Sequence, residues 1–142
     1  MSNYKLSKSE ISSLMNLYYD MGYDEDYAKE DLIDLVKNLN KLPNPITLYR
    51  VVHLDEGLEL NVNNLGSHYS YSKKTLINSH YTRGWLSTMG VDGKTVLITC
   101  EVDKSKINVF DTISNNILYP NEKEITLKNK GYGVKILSTE YL

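Results

Sequence analysis

The stretch "NKLPNPITLYRVV", residues 40–52, holds the change of periodicity on which the fold turns. Upstream of it Leu32, Leu35, Val36 and Leu39 recur at three- and four-residue steps, the stripe of an amphipathic helix. Pro43 and Pro45 stop that helix, because proline disfavours helical backbone in the residue before it. Downstream, Ile46, Thr47, Leu48, Tyr49, Val51 and Val52 abandon the helical step and are rich in β-branched and aromatic side chains, as a strand requires. A helical part over residues 1–44 and a β-rich part over 45–142 follow, giving an α+β class with the helices first.

Toward the N-terminus, "SKSE" at 7–10 has the Ser-x-x-Glu form of a capping box. Ile11, Leu14, Met15 and Tyr18 follow it at helical spacing. Asp24 is a cap for the second helix. Toward the C-terminus, "LDEGLELNVNNLG" at 54–66 reads as loop, "SHYSYS" at 67–72 as a short strand, and "KKTLINSHY" at 73–81 as a helix capped by Ser72. In "GWLSTMGVDGKTVLITCEV", residues 84–102, two β-rich runs flank Asp92-Gly93, a pair suited to the positive φ angles of a hairpin turn. Strands near 107–110, 122–127 and 134–138 complete a sheet expected to be mixed and mostly antiparallel. No repeat or linker interrupts the chain, so residues 1–142 are expected to form one domain.

A net charge of −2 and a pI near 5.9 supply no global attraction to nucleic acid or anionic lipid. The single cysteine, Cys100, rules out an internal disulfide framework, fits a reducing cytoplasm and reads as core. The opening "MSNYKLSKSE" lacks the apolar segment of a signal peptide, and no apolar run approaches the ~20 residues that span a bilayer. A soluble, cytoplasmic protein without a membrane partner is expected. The lean toward Asn, Lys, Ile and Tyr, with Ala28 the only alanine, resembles translation from an AT-rich genome and points to a phage or AT-rich bacterial source.

The Walker phosphate loop, the GxGxxG fingerprint, the HExxH zinc motif and the GxSxG elbow are all missing. Three scattered histidines and one cysteine make a poor metal site, so no metal is expected. The chain does carry an ordered triplet: Arg50 in "LYRVV", Ser70 in "HYSYS", and the pair Glu122 and Glu124 in "NEKEITL". On an extended strand over 122–127, Glu122, Glu124 and Thr126 would share one face. Two carboxylates about 7 Å apart repel by roughly 2 kcal/mol at an effective dielectric near 20, enough to raise one pKa.

That order of motifs resembles the mono-ADP-ribosyltransferases, whose pattern is Arg, then aromatic-Ser-Thr-Ser, then Glu-x-Glu or Gln-x-Glu before apolar residues. Here it reads Arg50, Tyr69-Ser70-Tyr71-Ser72 with Tyr71 in the Thr position, and Glu122-Lys123-Glu124-Ile125-Thr126-Leu127. The resemblance covers residues 45–142, and the leading helices are similar to the helical region before the first strand of that fold. A rival serine motif, Ser87-Thr88 after Trp85, lacks the following helix that the family requires.

The resemblance implies a fold of the ADP-ribosyltransferase type and an enzyme with NAD as co-substrate. Glu124 would stabilise the oxocarbenium-like ribose and hold a ribose hydroxyl. Glu122 would prepare the acceptor, Ser70 would hydrogen-bond the catalytic carboxylate, and Arg50 would grip the diphosphate through its two-pronged fork. Tyr69 and Tyr71, with His68 and Trp85, are candidates for a flat wall against nicotinamide or adenine. Glu-x-Glu in this family accompanies arginine acceptors, so the implied partner is a protein, a host protein for a phage effector, ahead of nucleic acid. An NAD glycohydrolase with water as acceptor, or a non-enzymatic module of the same fold that blocks a host or defence protein, are the competing expectations.

Overall fold

Ser7 opens the first helix as the sequence predicts, α1 spanning Lys8–Asp20. Its hydroxyl accepts from the Glu10 amide while the Glu10 carboxylate accepts from the Ser7 amide at 2.9 Å, a reciprocal cap worth about 1 kcal/mol. The computed structural model describes residues 3–54, 59–61, 65–82 and 94–141. Asp24 caps α2, Glu25–Lys41, by accepting from the Tyr27 amide at 2.8 Å. Its C-terminal end is closed from far along the chain. Lys104, 1 % exposed, donates to the carbonyls of Asn40 and Leu42 at 3.2 and 2.8 Å, a cation at the negative end of the helix.

β1, Ile46–Leu54, follows the prolines. It pairs along its whole length with β3, Lys94–Val102, from Ile46 opposite Val102 to Leu54 opposite Lys94. β2 is His68–Ser70, α3 is Lys73–Thr82, and the chain closes with β4, Glu124–Thr126, and β5, Lys135–Tyr141. The five strands lie in the order β4-β2-β1-β3-β5, and all four pairings are antiparallel. The fold is therefore α+β as expected, but the sheet of the described residues is antiparallel throughout rather than mixed. The Asp92-Gly93 hairpin and the run before it lie outside the described residues.

The strand expected near 107–110 is a helix instead. Ile107 contributes one isolated bridge to Leu127, and Asn108 then caps α4, Val109–Leu118, its side chain accepting from the Asp111 amide at 3.1 Å. Ile113 and Ile117, one turn apart, fall on one face and join the core. The polar face of α4 closes the outer edge of β4. The Thr112 hydroxyl accepts from the Thr126 amide at 2.9 Å, and the Asn116 amide donates to the Glu124 carbonyl at 2.8 Å. An edge strand is thereby satisfied by helix side chains instead of a further strand.

The core gathers Leu14, Tyr18, Leu32 and Leu39 from the helices against Leu48, Ile98, Cys100 and Ile125 of the sheet. No helix of the described residues is long and apolar enough to cross a membrane. Burial pushes the Cys100 thiol from 9.0 up to about 11, and burial likewise lifts the hydroxyls of Tyr4 and Tyr69 from 10.0 to about 12. Each folded value exceeds its unfolded one, so the unfolded chain loses these protons first as pH rises. The stability these three groups contribute should be full below pH 9, fall from there and be lost toward pH 12. Thermal melts from pH 8 to 12, with tyrosinate absorbance as the second probe, should show ionisation coinciding with unfolding. Tyr4 and Tyr69 ionising in a still-folded protein would contradict this.

Candidate functional site

Three neighbouring strands carry the triplet. Ser70 of β2 lies opposite Tyr49 of β1 on one side and opposite Glu124 of β4 on the other. Cross-strand partners share a face, so Ser70 and Glu124 point the same way, together with His68 and its partner Thr126. Alternation turns Arg50 to the other face, the one that carries Tyr69 and Ile125.

Tyr49–Ser70 is the one paired position between β1 and β2. Beyond it Arg50 bridges the two strands with its side chain, Nη1 donating to the His68 carbonyl. Its guanidinium lies 5.7 Å from the Tyr69 ring centroid, a cation–π distance. It also lies flat against Gly66, where an added Cβ would come within 2.7 Å of Nη2. Burial pulls the Arg50 pKa below its ordinary value, while Tyr69 and Glu124 pull it back. The buried Arg50 Nε has no hydrogen-bond partner among the described residues.

The Glu124 carboxylate is held from two sides. The Thr126 hydroxyl donates to Oε2 at 3.1 Å and itself accepts from the Asn115 amide of α4 at 3.1 Å. His68 Nδ1 lies 3.3 Å from the same oxygen, with the Glu124 side chain 16 % exposed and His68 59 %. A charge-capable ring and a hydroxyl therefore fix one oxygen of a carboxylate that still reaches solvent.

Two expectations are corrected here. β4 begins at Glu124, and Lys123 has φ +50°, so extended alternation does not reach Glu122; the carboxylates do not sit side by side on a strand face. Ser70 does not hold the Glu124 carboxylate. Its hydroxyl, buried, is directed at the backbone carbonyls of Glu122, Lys123 and Ser72 at 3.1, 3.2 and 3.3 Å, and it accepts from the Ser72 amide at 3.1 Å. It pins the turn that delivers Glu124 to its strand. Ser70 is thus a structural anchor of this site, and Glu122, partly buried, belongs to that turn.

Tyr69 is 3 % exposed and supports Arg50 from the core, so it offers no wall to a cofactor. Tyr71 is partly buried and ties the turn through its amide to the Lys123 carbonyl at 3.1 Å. With Asn116, Ile125 and Glu124 it lines a cavity of about 40 Å³, room for a water or two and not for a nicotinamide ring. Trp85 and Ser87 lie outside the described residues. Among the described residues no group of His, Cys, Asp and Glu is arranged to hold a metal ion.

The contacts of His68 and Asn115 with this cluster were not legible beforehand. Thr126 is on the expected face, but its partner Asn115 belongs to a helix of which only the start, near 107–110, carried an expectation, and that was a strand. No protein-family model, no curated protein and no solved structure matches the chain.

Proposed function

We propose that this chain is an NAD-dependent mono-ADP-ribosyltransferase that moves ADP-ribose to a macromolecular acceptor, arginine on a protein by preference, and releases nicotinamide. The observation that carries the reading is the adjacency of β1, β2 and β4. It draws Arg50, Ser70 and Glu124 from separate stretches of the sequence onto three neighbouring strands. In the reaction the bond between ribose C1′ and the nicotinamide nitrogen breaks, its electron pair leaving with nicotinamide. The anchored Glu124 carboxylate stabilises the positive charge that develops on the ribose. The acceptor nitrogen then bonds C1′ and gives up a proton, the step assigned to Glu122. The composition suits a phage effector acting on a host protein in the host cytoplasm.

Arg50 is the diphosphate ligand in this scheme. Nη1 is committed to the His68 carbonyl and Nε is buried, which leaves Nη2 and the second Nη1 proton for phosphate oxygens and makes geometry as important as charge. Arg50→Lys should weaken NAD binding by about 1–2 kcal/mol, roughly five- to thirtyfold, in calorimetry on folded protein. Equal affinity would remove Arg50 from the site. The function itself is tested by incubating the protein with labelled NAD and cell lysate. Label on macromolecules supports transfer, free ADP-ribose alone identifies a glycohydrolase, and intact NAD leaves the fold as a binding module.

A further inference from the structure

The segment before α1 and the helices α1 and α2 enclose an open groove of about 570 Å³. Its floor is apolar: Met15, Leu32 and Val36. Ile11 and Ile33 line it as well and are 41 % and 53 % exposed, which is unusual solvation for two isoleucines in one groove.

The charges around it are sorted. α2 carries five acidic residues, Glu25, Asp26, Glu30, Asp31 and Asp34, and none of them lines the groove. Every charged side chain that does is a lysine: Lys5, Lys29 and Lys37. Lys29, Ile33 and Lys37 are spaced by four residues and form one ridge of the helix, a cation on either side of an exposed apolar side chain. Lys29 pairs with Glu25 at 2.7 Å, but both side chains are about three-fifths exposed, so that pair is weak and easily exchanged. Lys5 and Lys37 form no ion pair among the described residues. In a chain of net charge −2, a wholly cationic rim on an apolar floor is a local device.

From this we infer that the groove is a docking site for an amphipathic helix of a protein partner, with apolar residues on one face and acidic residues flanking them. The ridge from Lys29 to Lys37 is about 12 Å long. That matches two turns of a bound helix presenting anchors at i, i+3, i+4 and i+7. An open trough with cations along its rim suits a helix laid into it better than an enclosed small molecule, and the acidic flanks supply the sign the rim lacks. The inference is independent of NAD chemistry.

The test uses the full chain and two fluorescein-labelled helical peptides with identical leucine anchors, one flanked by glutamates and the other by lysines, read by fluorescence anisotropy. The acidic peptide should bind at least about tenfold more tightly than its basic twin, with the preference shrinking at high salt. Lys29→Glu with Lys37→Glu should reverse the preference, and Ile33→Asp should weaken both peptides at least about tenfold. These positions are exposed, so thermal melts should stay near wild type. Equal binding of the two peptides, no binding of either, or a preference that survives the charge reversal would overturn the proposal. Binding to phosphatidylglycerol vesicles without peptide binding, or a dimer in solution that Ile33→Asp dissolves, would also overturn it, assigning the groove to a membrane or to a second copy.

Discussion

Glu124→Gln should abolish nearly all turnover of NAD, transfer and hydrolysis together. The substitution keeps an oxygen for the Thr126 hydroxyl, which lies 3.1 Å from Oε2, and preserves the side chain's shape, so β4 should stay paired. What it removes is the negative charge. If stabilising the developing ribose cation is worth about 3–4 kcal/mol, the rate falls by roughly 10²- to 10³-fold. Glu122→Gln should behave differently, losing transfer to the acceptor while slow release of free ADP-ribose continues. Paired measurements of labelled acceptor and free ADP-ribose on both variants decide the matter. Small and equal losses in folded protein would mean that Glu124 only fastens a strand edge.

Gly131→Ala should cost more stability than any other glycine replacement in the described residues. Its backbone sits at φ +73°, where a side chain is strained, and an added Cβ would meet the Tyr69 hydroxyl and the Gly66 carbonyl oxygen well inside 3.0 Å. One of those neighbours is backbone and cannot swing away. Strain plus displacement of Tyr69 should lower stability by about 2–4 kcal/mol, many degrees in melting temperature for a chain of this size. Gly22→Ala is the control. It has φ +89° and nothing within 4 Å of the added atom, so its loss should be about 1 kcal/mol. Similar losses from the two would show that conformation, not the Tyr69 contact, governs Gly131. Because Tyr69 lies under Arg50, the variant should also weaken NAD binding before it unfolds.

What the sequence discloses about this molecule is what depends on near neighbours. The caps at Ser7 and Asp24 each close within three residues, so their helices could be read directly. The prolines at 43 and 45 end α2 by steric conflict with adjacent backbone, and β1 followed where expected. α4 was misread because "KINVF" is as apolar and branched as a strand. The competing cues, Asn108 before Asp111 and the four-residue step from Ile113 to Ile117, decide the outcome only once a core exists to receive that face. The Glu122/Glu124 reading failed at one residue. Lys123 takes a left-handed conformation, held by its carbonyl's contacts with Ser70 and Tyr71 fifty residues upstream, and no local pattern records that. The strand order and the partners of Arg50 are likewise products of long-range pairing.

The helix that closes the β4 edge also sets a timetable for synthesis. β1, β2 and β3 leave the ribosome first, and β2 then has a bare flank with no partner until residue 124 arrives. α4 emerges immediately ahead of β4, so the strand comes out beside the side chains that will cover its outer side. Residues 108–126 can therefore dock as one unit: Ser70 captures the turn, β4 seals β2, and the polar face of α4 seals β4. A nascent chain stalled after β3 and before residue 124 offers a neighbouring polysome product the bare flank of β2 to copy, and the outer flank of β3 stays open until β5 arrives. Pauses in translation over that interval are where β2 of this sequence is exposed to aggregation.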